Sequence, residues 1–458
     1  MQEDVIVVFD IGKTNKKILI FNKSLQVVYQ EEIKFPEIKD DDGFNCDDIE
    51  ALEVWILQTL KKIISGREFD VKGINFSTYG ATLVYLDKGG KRLTPVYNYL
   101  KPMPEGVLDD FYEKYGGIKE FSRKTASPAL GMLNAGLQIY WLKKEKPLVF
   151  SRVKYILHFP QYLSYLLTHR ITSEYTSIGC HTAMWDFDKR KYHQWLSDEG
   201  ISLPAPESNS ISYETDIFGK KIPVGIGIHD SSASLVPYIL GSKKKFILLS
   251  TGTWCINMNP FNAEPLTKKQ LENDCLCYMS INQEQVKSSR IFLGYIHEVN
   301  TTRIASHFGR KEDFYKKVKT DSDLITQLQV NSRNERVFFK NGVPREYVDK
   351  NVPLDQFASA EEAYYRLMID ITDLCMDSLK LIIPKKDETG QLYISGGFAR
   401  NEIFIKLLTD RFPDKAVYTS EIDNSSALGA ALVVYEHSGF GRWPSLNLGF
   451  KQGHSPTM

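Results

Sequence analysis

The sequence predicts an α/β protein of two related domains. Three observations lead there. The chain has 458 residues, more than one hydrophobic core usually organises, so two domains are the expected division. A strand–turn–strand unit opens the chain and returns with Gly252 opposite Gly12, 240 residues on. Each half also ends in a strand that feeds a helix.

The elements follow in order. Residues 5–9 (Val-Ile-Val-Val-Phe) and 16–21 (Lys-Lys-Ile-Leu-Ile-Phe) are β-rich runs around a short glycine-containing turn, a hairpin pattern. Residues 25–33 add a third strand. The second unit runs through 246–249, a turn at 250–253 and a strand at 254–258, with Ser250 opposite Asp10. Two large copies are a duplication rather than a solenoid, which needs several short units. The first half closes on a strand at 224–228, then His229-Asp230-Ser231 and an apolar stretch through Leu240. The second closes on a strand at 392–394, then Ser395-Gly396-Gly397 and a helix over about 401–412. Segments 136–144, 155–167 and 360–381 read as helices. The Gly-Ser-Lys-Lys-Lys stretch at 241–245 reads as a solvated junction between domains 1–240 and 241–458.

Composition narrows the function classes. Lys plus Arg and Asp plus Glu both number 57, so nothing marks a nucleic acid or a membrane surface as the partner. Six scattered cysteines are not a disulfide framework and read as reduced thiols. Cys275 and Cys277 lack a second ligand pair at zinc-like spacing and read as strand residues. An acidic N-terminus running straight into a strand is not a signal peptide, and no apolar run approaches a membrane span of about 20 residues. A cytoplasmic protein is expected, and a homodimer is compatible with the sequence.

The turns carry the chemistry. Gly12 lets the backbone approach an anion closely, and Lys13, Thr14 and Asn15 can donate hydrogen bonds to phosphate oxygens. Asp10, at the strand's end, can hold Mg²⁺ through its water shell. Alone, these are also ordinary turn formers. A matching turn at Ser250, Thr251, Gly252 and Thr253 changes that, because two turns facing one crevice can grip a phosphate chain from both sides, which phosphoryl transfer needs. Gly396 and Gly397 place bare backbone at a helix N-terminus, suited to a phosphate or polar ligand. The small residues at 427–431 suit close helix–sheet packing. Asp230 ends a strand and starts a helix, so it faces a crevice and can accept the proton of an attacking hydroxyl; as an N-cap it would also be at home. His229 beside it is open between a structural and a substrate role, and His181 reads as structural. The P-loop, the H-R-D and D-F-G signatures and a complete dinucleotide loop are absent.

Together these motifs, in this order and over nearly the whole chain, resemble the FGGY carbohydrate kinases of the sugar kinase/Hsp70/actin superfamily. Residues 10–15 look like that family's first phosphate motif, 249–254 (Leu-Ser-Thr-Gly-Thr-Trp) its second, 394–401 (Ile-Ser-Gly-Gly-Phe-Ala-Arg-Asn) its adenosine motif and 224–233 its catalytic-aspartate segment. The resemblance implies two ribonuclease-H-like, actin-like ATPase domains with a nucleotide/sugar cleft between them. It also implies ATP with Mg²⁺ in that cleft, Asp230 as general base and Asn401 near the adenine or ribose. The rhamnulose and fuculose kinase branch is most similar, through His229-Asp-Ser-Ser-Ala-Ser234 and through 159–167 and 173–177. Ser77, Thr78, Tyr79 and Gly80 occupy the usual substrate wall, with His229 and Asp230 on the sugar.

One stretch departs from the family. Where an aromatic residue followed by Asp and Arg is usual, this chain reads Tyr97-Asn-Tyr-Leu-Lys101. The expected acceptor is a small ketose such as L-fuculose or L-rhamnulose, its methyl group resting on Tyr79 or Trp254. A kinase for a pentulose, polyol or aldose on the same scaffold is the runner-up. A non-catalytic nucleotide switch or an ATP-dependent sugar sensor is the alternative of a different class.

Overall fold

In the computed structural model, which describes residues 2–333 and 335–453, the opening apolar run becomes a central strand. β1 (Glu3–Ile11) is completely buried from Val5 to Phe9, as a strand covered on both faces must be. It pairs antiparallel with β2 (Lys16–Asn22), which pairs with β3 (Val27–Ile33). On its other side it pairs parallel with β4 (Phe69–Thr78). The crossover to β4 carries α1 (Ile49–Ser65), started by the Asp48 side chain accepting from Ala51 N at 3.0 Å. Its buried Ile49, Leu52, Ile56 and Leu60 recur at helical spacing against the sheet.

The segment at 155–167 is not one helix. Tyr155–His158 pairs antiparallel with Leu83–Leu86, and α2 (Phe159–Thr168) begins only where Pro160 can sit in a first turn. Beyond β4 the sheet continues through β5 (Ser212–Ile217) and β6 (Lys220–Gly225), and the short β7 (Ile228–His229) also pairs with β4. The strand expected over 224–228 is thus broken at Gly227, whose N–H donates to the Asn75 side chain at 3.1 Å. That break redirects the chain so that β7 and the residue after it emerge at the sheet's edge of strand ends.

After α3 (Asp230–Gly241) the second sheet begins with β8 (Phe246–Thr251). It continues with β9 (Cys255–Asn259), β10 (Cys275–Met279), β11 (Gln285–Ile291), β12 (Gln391–Gly396), β13 (Ala416–Ser420) and β14 (Lys451–Gln452), in the spatial order β10-β11-β9-β8-β12-β13-β14. β8 has an antiparallel partner in β9 and a parallel one in β12, the arrangement β1 has with β2 and β4. The repeat in the sequence is therefore a repeat of topology. The turns differ by one residue, since Ile11 pairs with Lys16 but Thr251 pairs with Cys255. α4 (Leu293–His307), α5 (Ala360–Lys380) and α6 (Glu402–Arg411) build the core over one face of this sheet.

Two helices lie between the sheets. α3 buries Ala233 and Val236 against the first lobe and turns Leu235 and Tyr238 to the second. α7 (Ser425–Tyr435), from the end of the chain, returns to the first sheet, where Asn75 Nδ2 donates to Ala430 O at 2.8 Å. The small-residue segment 427–431 thus packs on the sheet as expected, and it also crosses α3. A Cβ at Gly429 would lie 1.9 Å from Ala233 O, so the crossing requires glycine. All six cysteines are free and buried, Cys275 and Cys277 among them. No helix among the described residues is long and apolar enough to cross a membrane.

Replacing Gly429 by Val should force these helices apart and destabilise the protein by about 1–3 kcal/mol. A urea titration that left the midpoint unchanged would show that the crossing tolerates a side chain.

Candidate active site

Three neighbouring strand ends bring two acids together. In the sheet Asp10 pairs with Ser77, and Ser77 pairs with Ile228, so β1, β4 and β7 end side by side with Asp230 just beyond. Asp230 is the first residue of α3; His229 is its N-cap, without a side-chain capping bond. The Asp230 Oδ1 accepts from Ser231 N at 2.5 Å and Ser231 Oγ at 3.2 Å, and His229 Nε2 lies 3.3 Å away. Solvent reaches a third of the side chain, yet protein surrounds it closely enough for burial to push its carboxyl up to about 6. Burial likewise raises Asp10 to about 6, with the charge of Asp230 pushing in the same direction and a hydrogen bond from Ser426 opposing. Ser426 Oγ, on α7, donates to Asp10 Oδ2 at 2.9 Å. The buried Ser77 hydroxyl lies beside the same carboxylate without hydrogen-bond geometry. Burial holds His229 down at about 4, so its ring is neutral, 3.2 Å from the Cys180 thiol.

The second lobe repeats the geometry with backbone instead of acids. Ser250 pairs with Ser395 and Thr251 with Gly396, which sets the turn at 252–254 against the Gly396-Gly397 turn. Gly396 sits at φ +84°, and a Cβ there would be 1.8 Å from Thr251 O; only glycine allows this approach. A cavity of about 830 Å³ opens beside these turns, lined by Gly252, His297, Tyr315, Gly397, Phe398 and Asn401 and rimmed by Lys316, Lys317, Lys319 and Arg400. At its wall Asn401 Nδ2 donates to Tyr364 OH at 2.9 Å, and His297 Nε2 is 3.2 Å from the same oxygen.

Residues 5–205 match the family described as "FGGY family of carbohydrate kinases, N-terminal domain". Up to residue 205 the first lobe is similar to that family's N-terminal domain. A rhamnulokinase of Yersinia pestis (strain Pestoides F) is 28% identical over 280 residues, 58% of this chain and 56% of that protein; the chain thus spans about half the length of the first curated relatives it matches. A rhamnulokinase of Halalkalibacterium halodurans is 23% identical across 92% of this chain and 91% of that protein. The solved carbohydrate kinase from Novosphingobium aromaticivorans superposes with a TM-score of 0.77 at 23% identity, covering 94% of this chain and 93% of that one. The two-lobed α/β fold expected from the sequence is the fold this chain shares with that solved structure.

Several expected ligands are engaged elsewhere. Lys13 Nζ lies 2.6 Å from Asp47 and 3.6 Å from Glu37, so its ammonium turns to Asp47 rather than standing free at the first turn. Thr14 is exposed, while Asn15 carries a buried Oδ1 without a partner and its carbonyl accepts from Gly12 N at 2.9 Å. The Thr251 hydroxyl bonds Ser395 O and accepts from Phe398 N; it stitches the two turns together. Gly252 and Thr253 are exposed and Ser250 partly so. Asn401 lines the cavity, but Oδ1 accepts from Phe404 N at 3.1 Å to cap α6, so both ends of its amide are occupied. Ser77 and Thr78 are completely buried and Tyr79 nearly so, its hydroxyl donating to Asp47 at 2.7 Å. Tyr79 therefore offers the cleft little surface for a methyl group, whereas Trp254 is 39% exposed. Gly80 backs the His229 ring, where a Cβ would lie 2.9 Å from Nε2.

The sequence reading missed Ser426, His297, Tyr315 and the lysines at 316–319. Ser426 directly precedes the small-residue run, the one signal that could have pointed to it. Among the described residues, the one group of three metal-type ligands close enough to share an ion is Asp40, Asp41 and Asp42. Lys101 and Lys146 already neutralise it.

The raised carboxyl of Asp230 has a stability consequence. Because the folded state binds this proton more tightly than the unfolded chain, whose value is near 3.8, the stabilising contribution is complete below that value and is lost as pH rises through about 6. Asp230→Asn should therefore raise the thermal midpoint at pH 8, with the gain shrinking at pH 5. Equal midpoints for the two proteins at pH 8 would show that the ionised carboxylate carries no such cost.

Proposed function

We propose that this chain is an ATP-dependent carbohydrate kinase. The observation that carries the reading is Asp230, a one-third exposed carboxylate just beyond the end of a strand whose charge reaches a second acid, Asp10, on the neighbouring strand ends. Asp230 Oδ2 has no hydrogen bond among the described residues, leaving an acceptor for a sugar hydroxyl. In the reaction that hydroxyl loses its proton to Asp230 as its oxygen bonds the γ-phosphorus, and the bond from that phosphorus to the bridging oxygen breaks to release ADP. His229, held neutral by burial, lies 3.3 Å from the carboxylate and adds no charge beside it.

In this reading the region 1–240 supplies the sugar side and the catalytic acid, and 241–458 supplies the nucleotide side. ATP lies in the cavity of about 830 Å³, its phosphates reaching the turns at Gly12 and Gly252 and the amides of Gly396 and Gly397. Two carboxylates drawn close enough for one to raise the other fit a divalent cation. Asp10 would hold Mg²⁺, whose charge would neutralise the phosphate oxygens. The acceptor we favour is a ketose, with 6-deoxy-ketohexoses such as L-rhamnulose or L-fuculose first; the rhamnulokinase relatives support that choice. Six buried free thiols fit action in the reducing cytoplasm.

A coupled ADP-release assay over a panel of ketoses, aldoses and polyols tests the reading. A ketose should stimulate release well above the basal rate, and no stimulation by any sugar would favour the sensor or switch instead. Asp230→Asn should lower turnover by about 10²–10⁴ while keeping nucleotide affinity; wild-type turnover in that variant would remove the base assignment. Since the base must be ionised, turnover should fall as pH drops below about 6, and a profile flat down to pH 5 would contradict it.

A further inference from the structure

The surroundings of Asp230 are not built by the first lobe alone. β10 of the second lobe lies against the short helical turn Tyr175–Ile178 and the start of α3. Ser232 Oγ of α3 donates to Met279 O at 2.8 Å, and the backbone at Gly179 approaches the same methionine so closely that a Cβ would be 2.1 Å from its Cγ. This contact carries Tyr278 across the gap. Its ring lies nearly parallel to that of His229, with centroids 6.2 Å apart and planes 26° apart, and meets the His181 ring at 6.5 Å. His229 Nε2 is in turn 3.3 Å from Asp230. Tyr278 is only partly buried, and its hydroxyl has no hydrogen bond among the described residues. Burial pushes that phenol above its ordinary value, with the charges of Asp230 and Arg290 felt at the ring, so it is a neutral donor. A tyrosine held by its ring against the neighbour of Asp230, with its hydroxyl unpartnered, suits recognition of an alcohol.

Resting on the kinase reading above, we propose that Tyr278 completes the acceptor pocket from the opposite lobe by hydrogen-bonding a hydroxyl of the sugar held at Asp230. Sugar recognition then requires the two lobes to be apposed, which links it to the nucleotide lobe through β10 and β11. The turn at 252–254 joins β8 to β9, and β9 pairs with β11, so the phosphate turn and Tyr278 move as one sheet.

The test compares steady-state kinetics of Tyr278→Phe and Tyr278→Leu with wild type, using the ketose that best stimulates ADP release. The Phe variant keeps the ring on His229 and removes only the hydroxyl. Its KM for the sugar should rise about 3- to 10-fold, the worth of one lost neutral hydrogen bond, with KM for ATP unchanged. The Leu variant should lose ring contact as well and lower kcat too. A Phe variant with the wild-type sugar KM would overturn the proposal even if Leu were impaired, because a purely structural ring survives in Phe. If KM for ATP rose equally with that for sugar, the hydroxyl would not be reading the acceptor and the proposal would also fall. If wild type releases no ADP with any sugar, the kinase reading fails and this proposal with it; an active wild type with an unaffected Phe variant removes only the latter.

Discussion

The crossing of α3 and α7 is the constraint on which the site depends. α3 begins with Asp230 and runs between the sheets, while α7 begins near Ser426 and packs back on the first sheet. Their backbones meet where Gly429 lies on Ala233. Fixing that contact fixes where the two helix starts fall, and both fall at the strand ends that carry Asp10. The last helix of the chain therefore sets the distance between acids that belong to its beginning and its middle. Helix N-termini favour negative charge, and two of them converge here. Desolvation nevertheless prevails at both carboxylates, since each rises to about 6. A carboxylate raised to that value remains ionised at neutral pH while holding a proton more firmly than an exposed aspartate would.

The duplication explains why the lobes have different chemistry on one plan. Asp10 and Ser250 occupy equivalent ends of equivalent strands, each beside a serine on its parallel neighbour. One lobe retains a carboxylate there; the other has a hydroxyl and a glycine pair. A triphosphate between two acid-bearing lobes would be repelled from both sides. In the proposed reading, acid in one lobe and glycine backbone in the other would let the anion rest away from the acids until its reacting end approaches them.

Much of this was legible in the chain because it depends on local residue types. The hairpins, the half-chain offset, the strand-to-helix step at Asp230 and the glycine pair all follow from apolar runs and turn formers. What the sequence concealed was the partner of each polar side chain. Lys13 looks free for phosphate until Asp47, 34 residues away, takes its ammonium. Thr251 and Asn401 look like ligands until Ser395, Phe398 and Tyr364 occupy their hydrogen-bonding groups. Tyr155–His158 carries the aromatic richness of the helix that follows it, and only pairing with Leu83–Leu86 makes it a strand. In each case a long-range contact outweighs a local preference.

The stretch that departs from the pattern the sequence resembles, Tyr97 to Lys101, acquires a physical account in the same way. Lys101 lies 2.6 Å from Asp40 and also binds Asp42, while Tyr97 OH donates to Asp41 at 3.0 Å. Asn98 Nδ2 donates to Asn45 O at 3.1 Å. The hairpin formed by Ile38–Lys39 and Asn45–Cys46 is thus clamped onto this stretch, and three aspartates close together are tolerable because Lys101 and Lys146 neutralise them. Side chains committed to holding a loop are not free to read a sugar. Tyr99 is the exception within the stretch. Its ring stands 6.0 Å from that of Tyr79 with Lys13 at a similar distance, and the charge of Asp230 reaches it. Under the proposed reading, the donor from the second lobe is the neutral phenol of Tyr278, which adds no charge beside the Asp230 carboxylate.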